Sequence, residues 1–170
     1  MGNPSGPSPT SDVDRSTERP AGLCEPDLIE LYNCWDRLRR GRSMPSRSDI
    51  DPIELPRRIL PRLMLVDVVE APRRYRFRLM GTWVADFSGG DHTGRHFDDP
   101  ELAKKDQTIV AQYDAVVDAG RPLHSEEPFE NPISKVTMPV GRLLLPLSTD
   151  GGRVDAILVG FSSKPELMAI

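Results

Sequence analysis

The chain has 170 residues, 38% of them hydrophobic, and a net charge of -4, enough for one domain of roughly 100 to 150 residues with a core of its own and not for two. No apolar run approaches the ~20 residues that span a bilayer, and the N-terminus lacks the charged and apolar regions of a secretion signal, so a soluble cytoplasmic protein with no membrane partner is expected. Cys24 and Cys34 have no second pair, no Cys-x-x-Cys and no nearby histidine, which supports neither a disulfide framework nor a cysteine-based zinc site.

Residues 1–25 read as a disordered tail, because Met1 to Leu23 is rich in Pro, Ser, Thr and Gly and cannot repay the entropy of ordering. Pro26 and Asp27 start an amphipathic helix whose apolar stripe is Leu28, Leu31, Tyr32, Trp35 and Leu38, with Gly41 as its stop. That stripe covers part of the core or pairs with its copy in a second subunit. Pro45, Pro52, Pro56 and Pro61 then forbid a long element, while Ile50, Ile53, Leu55, Ile59 and Leu60 predict an ordered connector packed along the domain edge. Residues 26–61 are thus helix plus connector, 62–163 the core of the domain, and 164–170 a C-terminal tail.

Leu63 to Val69 reads as an apolar strand, with Asp67 either turned to an open face beside the arginines, the cheaper option for a carboxylate, or held by hydrogen bonds. A turn at Glu70 to Arg73 leads back into a second strand. There Tyr75, Phe77 and Leu79 alternate with Arg74, Arg76 and Arg78, which predicts three apolar groups inward and three guanidiniums outward. Trp83, Val84 and Phe87 follow at helical spacing, so a short helix folds over the apolar face, with room for a cavity between. Ser88 to Asp99 is loop. Asp99-Pro100 caps a helix over 101–119 whose stripe is Leu102, Ile109, Val110, Tyr113, Val116 and Val117. Arg121 to Glu130 is an edge strand broken by Pro128. Val136 to Leu147 and Arg153 to Phe161 are two more, joined by a turn with the Asp150-Gly151 signal.

Charge is unevenly spread. Between Arg37 and Arg78 there are twelve arginines and five acids, a basic half in an acidic protein. Nucleic-acid binding would need a groove-entering helix or stacking aromatics among these arginines, and the only interleaved rings, Tyr75 and Phe77, point inward. The arginines are therefore assigned to an acidic protein partner or to salt bridges within a dimer, with no nucleic-acid partner.

The order of elements, with Leu65-Val-Asp-Val68, Phe77-Arg-Leu-Met-Gly-Thr82, Thr93-Gly-Arg95 and Arg142-Leu-Leu-Leu-Pro-Leu147 before Val154-Asp155, resembles a PAS domain over Pro26 to Ser163. More narrowly, it is similar to the single-domain PAS-like proteins common in alphaproteobacteria. The resemblance implies an α+β fold: a five-stranded antiparallel sheet in order 2-1-5-4-3, helices on one face enclosing a small-molecule pocket, and the N-terminal amphipathic helix in addition. It further implies sensing of a ligand, light or redox state, or dimerisation. A flavin photosensor of this kind needs a reactive cysteine in an Asn-Cys-Arg-type motif, and Cys24 and Cys34 lie outside the sensing core. A haem sensor takes a histidine from the long helix, which has none; Tyr113 could ligate iron but belongs to an apolar stripe. No cofactor is specified.

His92 and His96 would share a face at i, i+4 on a helix and could then bind a metal, but Gly94 and the missing glutamate between them argue against it. Ser88 lacks the glycine of a nucleophile elbow. No metal site and no catalytic residue are therefore assigned. With the sequence ending at Ile170, output is expected through a partner in trans. The ligand-binding residues expected from strand parity and helix stripes are Phe77, Leu79, Trp83, Phe87, Tyr113, Val117, Leu145 and Val159, around a small apolar ligand. The partner-binding residues expected are Arg74, Arg76 and Arg78 with Trp35, and a homodimer is expected. The alternatives are an interaction module with a filled core and a metal-assisted protein using His92 and His96.

Overall fold

The computed structural model describes residues 18–102 and 107–163. Strands β1 (Leu63–Val69), β2 (Arg74–Met80), β3 (Leu123–Glu130), β4 (Thr137–Leu147) and β5 (Ala156–Ser163) form one antiparallel sheet in the order β2-β1-β5-β4-β3. Helices α1 (Pro26–Arg39), α2 (Thr82–Ser88) and α3 (Gln107–Ala119) complete it. Class, strand order and strand positions are those the sequence led us to expect. The residues assigned to a helix from 101 are a turn at Glu101 and Leu102, lie outside the described residues over 103–106, and are helical from Gln107.

Paired residues share a face, so the register sorts the sheet. Phe77, Val66 and Ile157 lie in one row, and Tyr75, Val68, Val159 and Leu144 point the same way; Leu65, Leu158 and Leu145 point the other way. The first face lies under α2 and α3 and is called inner here. The second lies under α1. Residues 143–147 and 156–159 are buried on both faces for that reason, which is why β4 and β5 read as continuous apolar runs rather than as alternating ones.

α1 obeys its sequence signals. Pro26 occupies the first turn, where its missing N–H costs nothing, and Arg40 closes the helix in the left-handed conformation,. Its stripe of Leu28, Leu31, Tyr32, Trp35 and Leu38 is buried. The approach to the sheet is so close that a Cβ on Gly160 would stand 2.4 Å from Leu31 Cδ2. Trp35 is 1% exposed and donates its indole N–H to the Pro146 carbonyl over 2.9 Å. The assignment of Trp35 to partner binding is therefore corrected: an indole with its N–H satisfied inside its own fold has no surface to offer.

The boundary of the tail is also corrected. Leu23 and Glu25, placed in the tail by composition, are buried; residues 1–17 and 164–170, the remaining tail assignments, lie outside the described residues. Glu25 precedes α1 and meets His124 of β3 at 3.1 Å, with both side chains more than nine-tenths buried. Gly141 makes the room, since a Cβ there would stand 2.3 Å from Glu25 Oε1. Burial alone would raise the Glu25 carboxyl, but the backbone N–H groups of Glu25 and Cys24 and the His124 imidazole outweigh it and hold the group below its usual 4.5,. A depressed carboxylate contributes stability above its unfolded pKa and loses it as pH falls through the folded one. Glu25→Gln is thus expected to cost about 1 to 3 kcal/mol at neutral pH and to flatten the loss of stability on acidification below 4.5. Thermal melts of both proteins across that range check this, and parallel acid limbs would show that another carboxylate is responsible.

Turns follow their chemistry. Asp150 in the β4–β5 turn accepts from the N–H groups of Arg153 and Gly152 and from the Ser148 hydroxyl, which together hold its carboxyl down to about 2,. In the connector, Ser46 and Asp49 form a reciprocal cap around a single 3-10 turn, and Leu55 and Ile59 are buried,. Ile53, expected to pack, is 86% exposed.

Candidate functional site

The inner face is lined by two groups of aromatic rings. Tyr75 and Phe77 project from β2 and meet Phe97 at centroid distances of 5.6 and 4.5 Å; Tyr113 of α3 closes the group at 5.3 Å from Tyr75 and 5.1 Å from Phe97. Such tilted and edge-on contacts satisfy the ring quadrupoles and fill space densely. The Tyr75 hydroxyl donates to Asp114, and Arg73 bonds Asp118 at 2.9 Å, so α3 is tied to the β1–β2 turn by polar contacts at the rim of this group. Burial pushes the Tyr113 phenol up, keeping it neutral,.

The second group is more open. Trp83 and Phe87 of α2 stack at 4.6 Å with planes 16° apart, Phe87 meets Phe129 of β3 at 4.5 Å, and Trp83 meets Phe161 of β5 at 6.4 Å. All four rings are only half-buried. Arg62 lies over the Trp83 ring at 5.1 Å, a cation on a π face. Four partly buried aromatic rings form a continuous row of stacked and tilted contacts edged by one guanidinium.

Six of the eight expected ligand-binding residues belong to this face or the helices on it. Phe77, Tyr113 and Val159 are buried there, Trp83 and Phe87 lie half-exposed in the row, and Val117 packs partly buried against the core. Leu79 and Leu145 are corrected. Leu145 is fully buried but pairs with Leu158 on the face under α1. Leu79 is 52% exposed because the ladder pairs Leu65 with Leu79 but Val66 with Phe77, leaving Arg78 as an extra residue. This bulge reverses the alternation after Phe77. Phe97, Phe129 and Phe161 escaped the sequence reading. Phe129 shares its face with Leu123, Ser125 and Glu127, a strand too polar to reveal an inner side, and Phe97 sits in a loop with no periodicity.

Segment 92–97 is a turn running along the free edge of β2, with backbone bonds from Phe77 N to Arg95 O (2.9 Å) and from Gly94 N to Phe77 O (2.7 Å). Gly94 has φ +88°, which suits glycine. His92 and His96 therefore do not share a helical face; the His92 ring lies tilted against Phe77 at 5.8 Å and His96 bridges Arg76 through the backbone. Among the described residues no group of three or more His, Cys, Asp or Glu side chains is placed to hold a metal ion. Cys24 and Cys34 flank or belong to α1, on the other side of the sheet from the aromatic row. No described helix is long and apolar enough to cross a membrane.

Of the arginines assigned to a partner, Arg74 and Arg76 hold hydrogen-bonded ion pairs inside the chain, and Arg78 only approaches Asp67, at 3.6 Å. Arg74 grips Asp98 with two bonds of 2.8 Å, which push its pKa up, and Arg76 bonds Asp67 at 2.7 Å. Elsewhere Arg42 pairs with Asp49, Arg58 with Asp27 and Glu30, and Arg73 with Asp118. Much of the basic stretch is thus matched by acids of the same chain.

An antiparallel sheet with one aromatic-lined face beneath short helices defines an α+β domain,. The PAS domain family matches residues 24–161, and the chain belongs to that family, whose members are generally sensory rather than catalytic. No curated protein matches it. Among solved structures it is similar to a light-oxygen-voltage domain described with a flavin analogue, at 14% identity and a TM-score of 0.45 over 61% of this chain and 77% of that one. It is similar also to a fungal LOV domain photoreceptor (12% identity, TM-score 0.42, 61% and 76% covered). A variant of RsLOV gives 15% identity and a TM-score of 0.45, with 66% and 68% covered.

Proposed function

We propose that this PAS domain is a non-catalytic sensory module that takes a small, flat, apolar ligand against Trp83, Phe87, Phe129 and Phe161. The observation that carries the reading is the half-exposed aromatic row, ring on ring, on the face of the sheet beneath the helices. Rings in a packed core lose nearly all contact with water, whereas these four keep apolar surface that a planar molecule would cover. Arg62 at the rim favours a ligand with an acceptor or a negative group at one end. The neighbouring group of Tyr75, Phe77, Phe97 and Tyr113 supports a second reading for that half of the interior, in which side chains alone fill it.

Native mass spectrometry of freshly purified protein, set beside its denatured mass, separates the two. The ligand reading expects extra mass that leaves on denaturation and that falls in a Phe87→Asp variant of unchanged fold. Protein of bare mass would sink it and leave an interaction module with a filled interior.

A further inference from the structure

We propose that the outer face of the β1–β2 hairpin docks an acidic protein segment, read by Arg47, Arg76 and Arg78 with Leu79 as its apolar contact. The inference does not rest on the ligand reading, because it concerns the opposite face of the sheet.

Asp67 is the centre of the patch. It is buried on β1, and three guanidiniums converge on it: Arg47 at 2.8 Å from Oδ1, Arg76 at 2.7 Å and Arg78 at 3.6 Å from Oδ2. Among the described residues these three guanidiniums pair with no carboxylate but Asp67, an excess of two positive charges. All three guanidinium side chains are more than a third exposed, so their outer N–H groups face solvent. A guanidinium carries five donors in a fixed fork, and among the described residues Arg78 donates no hydrogen bond at all. Asp67 takes the Nε and Nη2 edge of Arg76 and one donor of Arg47, which orients these groups and leaves their remaining donors, with all five of Arg78, for an anion.

The bulge explains why these groups stand together. In an unbroken strand Leu79 would turn inward with Phe77; the extra residue brings Arg76, Arg78 and Leu79 to one side, where Leu79 pairs with half-buried Leu65 next to the Asp67 and Arg76 pair,. α1 meets the sheet at β4 and β5, and at this corner Arg76, Arg78 and Leu79 stay more than a third exposed. An apolar step beside a cationic step fits a segment that alternates carboxylates with aliphatic side chains, and steering by the excess charge speeds its encounter. Arg74 is no part of the site, because Asp98 already matches its charge with a paired contact.

The test is fluorescence anisotropy on the full chain at low salt with a labelled peptide of alternating Glu and Leu, and its Gln and Leu counterpart. The Glu peptide is expected to bind, and Arg78→Ala and Leu79→Ser each to weaken it by about tenfold, while Arg74→Ala leaves it unchanged. Arg78 and Leu79 are exposed, so both variants should melt as the parent does. Absence of binding, equal binding of the Gln peptide, full displacement by millimolar inorganic phosphate, or tighter binding of a single-stranded oligonucleotide would each overturn the proposal.

Discussion

Replacing Trp35 with alanine should destabilise the domain by about 3 to 5 kcal/mol, the range for emptying a buried large aromatic site. The ring is 1% exposed, lies 5.9 Å from Tyr32 and has the Arg39 guanidinium 5.4 Å over it. Little around it is free to collapse into the space, since Leu28 and Leu31 are themselves clamped on Gly160. Trp35→Phe isolates the polar part: most of the volume stays, but the Pro146 carbonyl loses its 2.9 Å donor, at a cost of about 1 to 3 kcal/mol. Urea unfolding of the three proteins orders them, and sedimentation of each reports its assembly. A smaller loss for alanine than for phenylalanine would show that the site relaxes; a change of mass at unchanged stability would restore Trp35 to an interface.

That experiment bears on what the amino-acid order can and cannot disclose. The stripe on α1 is unmistakable at spacings of three and four, yet the same stripe serves a sheet or a second subunit, and nothing local distinguishes the two. The distinguishing feature lies far away, in the apolar double face of β4 and β5 and in Gly160 and Gly141, which remove a side chain where α1 and Glu25 arrive. Strand existence was legible because each strand is bounded by prolines, glycines or a turn signal, whereas the order of the strands in the sheet was implied only by the resemblance to the PAS family. Parity was legible only while the ladder stayed regular. At Arg78 one inserted residue turns Leu79 outward, and a bulge has no residue type that announces it when the flanking pattern is Arg, Leu and Met. Leu145 failed differently, because a strand covered on both sides carries no alternation to read.

The candidate site divides along the same line. Trp83 and Phe87 were found because helix periodicity is local. Phe129 and Phe161, which complete the row, stand 32 residues apart in sequence on two strands that approach only across β4. On the charged side, arginine content was plain, but pairing depends on acids brought from elsewhere. Asp98 arrives from the loop after α2, and Asp67 sits opposite Arg76 in the ladder. The structure thereby separates arginines that look alike in the chain, making Arg74 a matched surface pair and Arg78 an open donor.

Gly81→Ala is expected to cost about 3 kcal/mol, at the upper end for overpacking, and to disturb the aromatic row as well. Gly81 precedes α2 with an ordinary backbone conformation, φ -64°, so its requirement is for space rather than for a special angle. A Cβ would stand 2.3 Å from the Pro61 carbonyl oxygen, 2.6 Å from the Pro61 carbonyl carbon and 2.8 Å from the Leu60 oxygen. These are backbone atoms of a 3-10 turn over Leu60–Arg62, unlike the flexible leucine ends that meet Gly160, and they have no rotamer to change. Gly81 also donates its N–H to the Leu63 carbonyl at 2.8 Å, which holds the chain at the closest point. Relief therefore has to come from moving α2 away from the turn, and α2 carries Trp83 and Phe87. The contacts of Trp83 with Arg62 and Phe161, at 5.1 and 6.4 Å, span the gap that opens. Gly151→Ala is the matched control: it sits at φ +81° with nothing within 4 Å, so it bears only the conformational cost, about 1 kcal/mol. Urea midpoints should fall far more for position 81 than for position 151, with ligand occupancy by native mass spectrometry falling only for the former. Equal midpoints would mean that α2 does not need its close seat on the 60–62 turn, and that the row is held by the rings themselves.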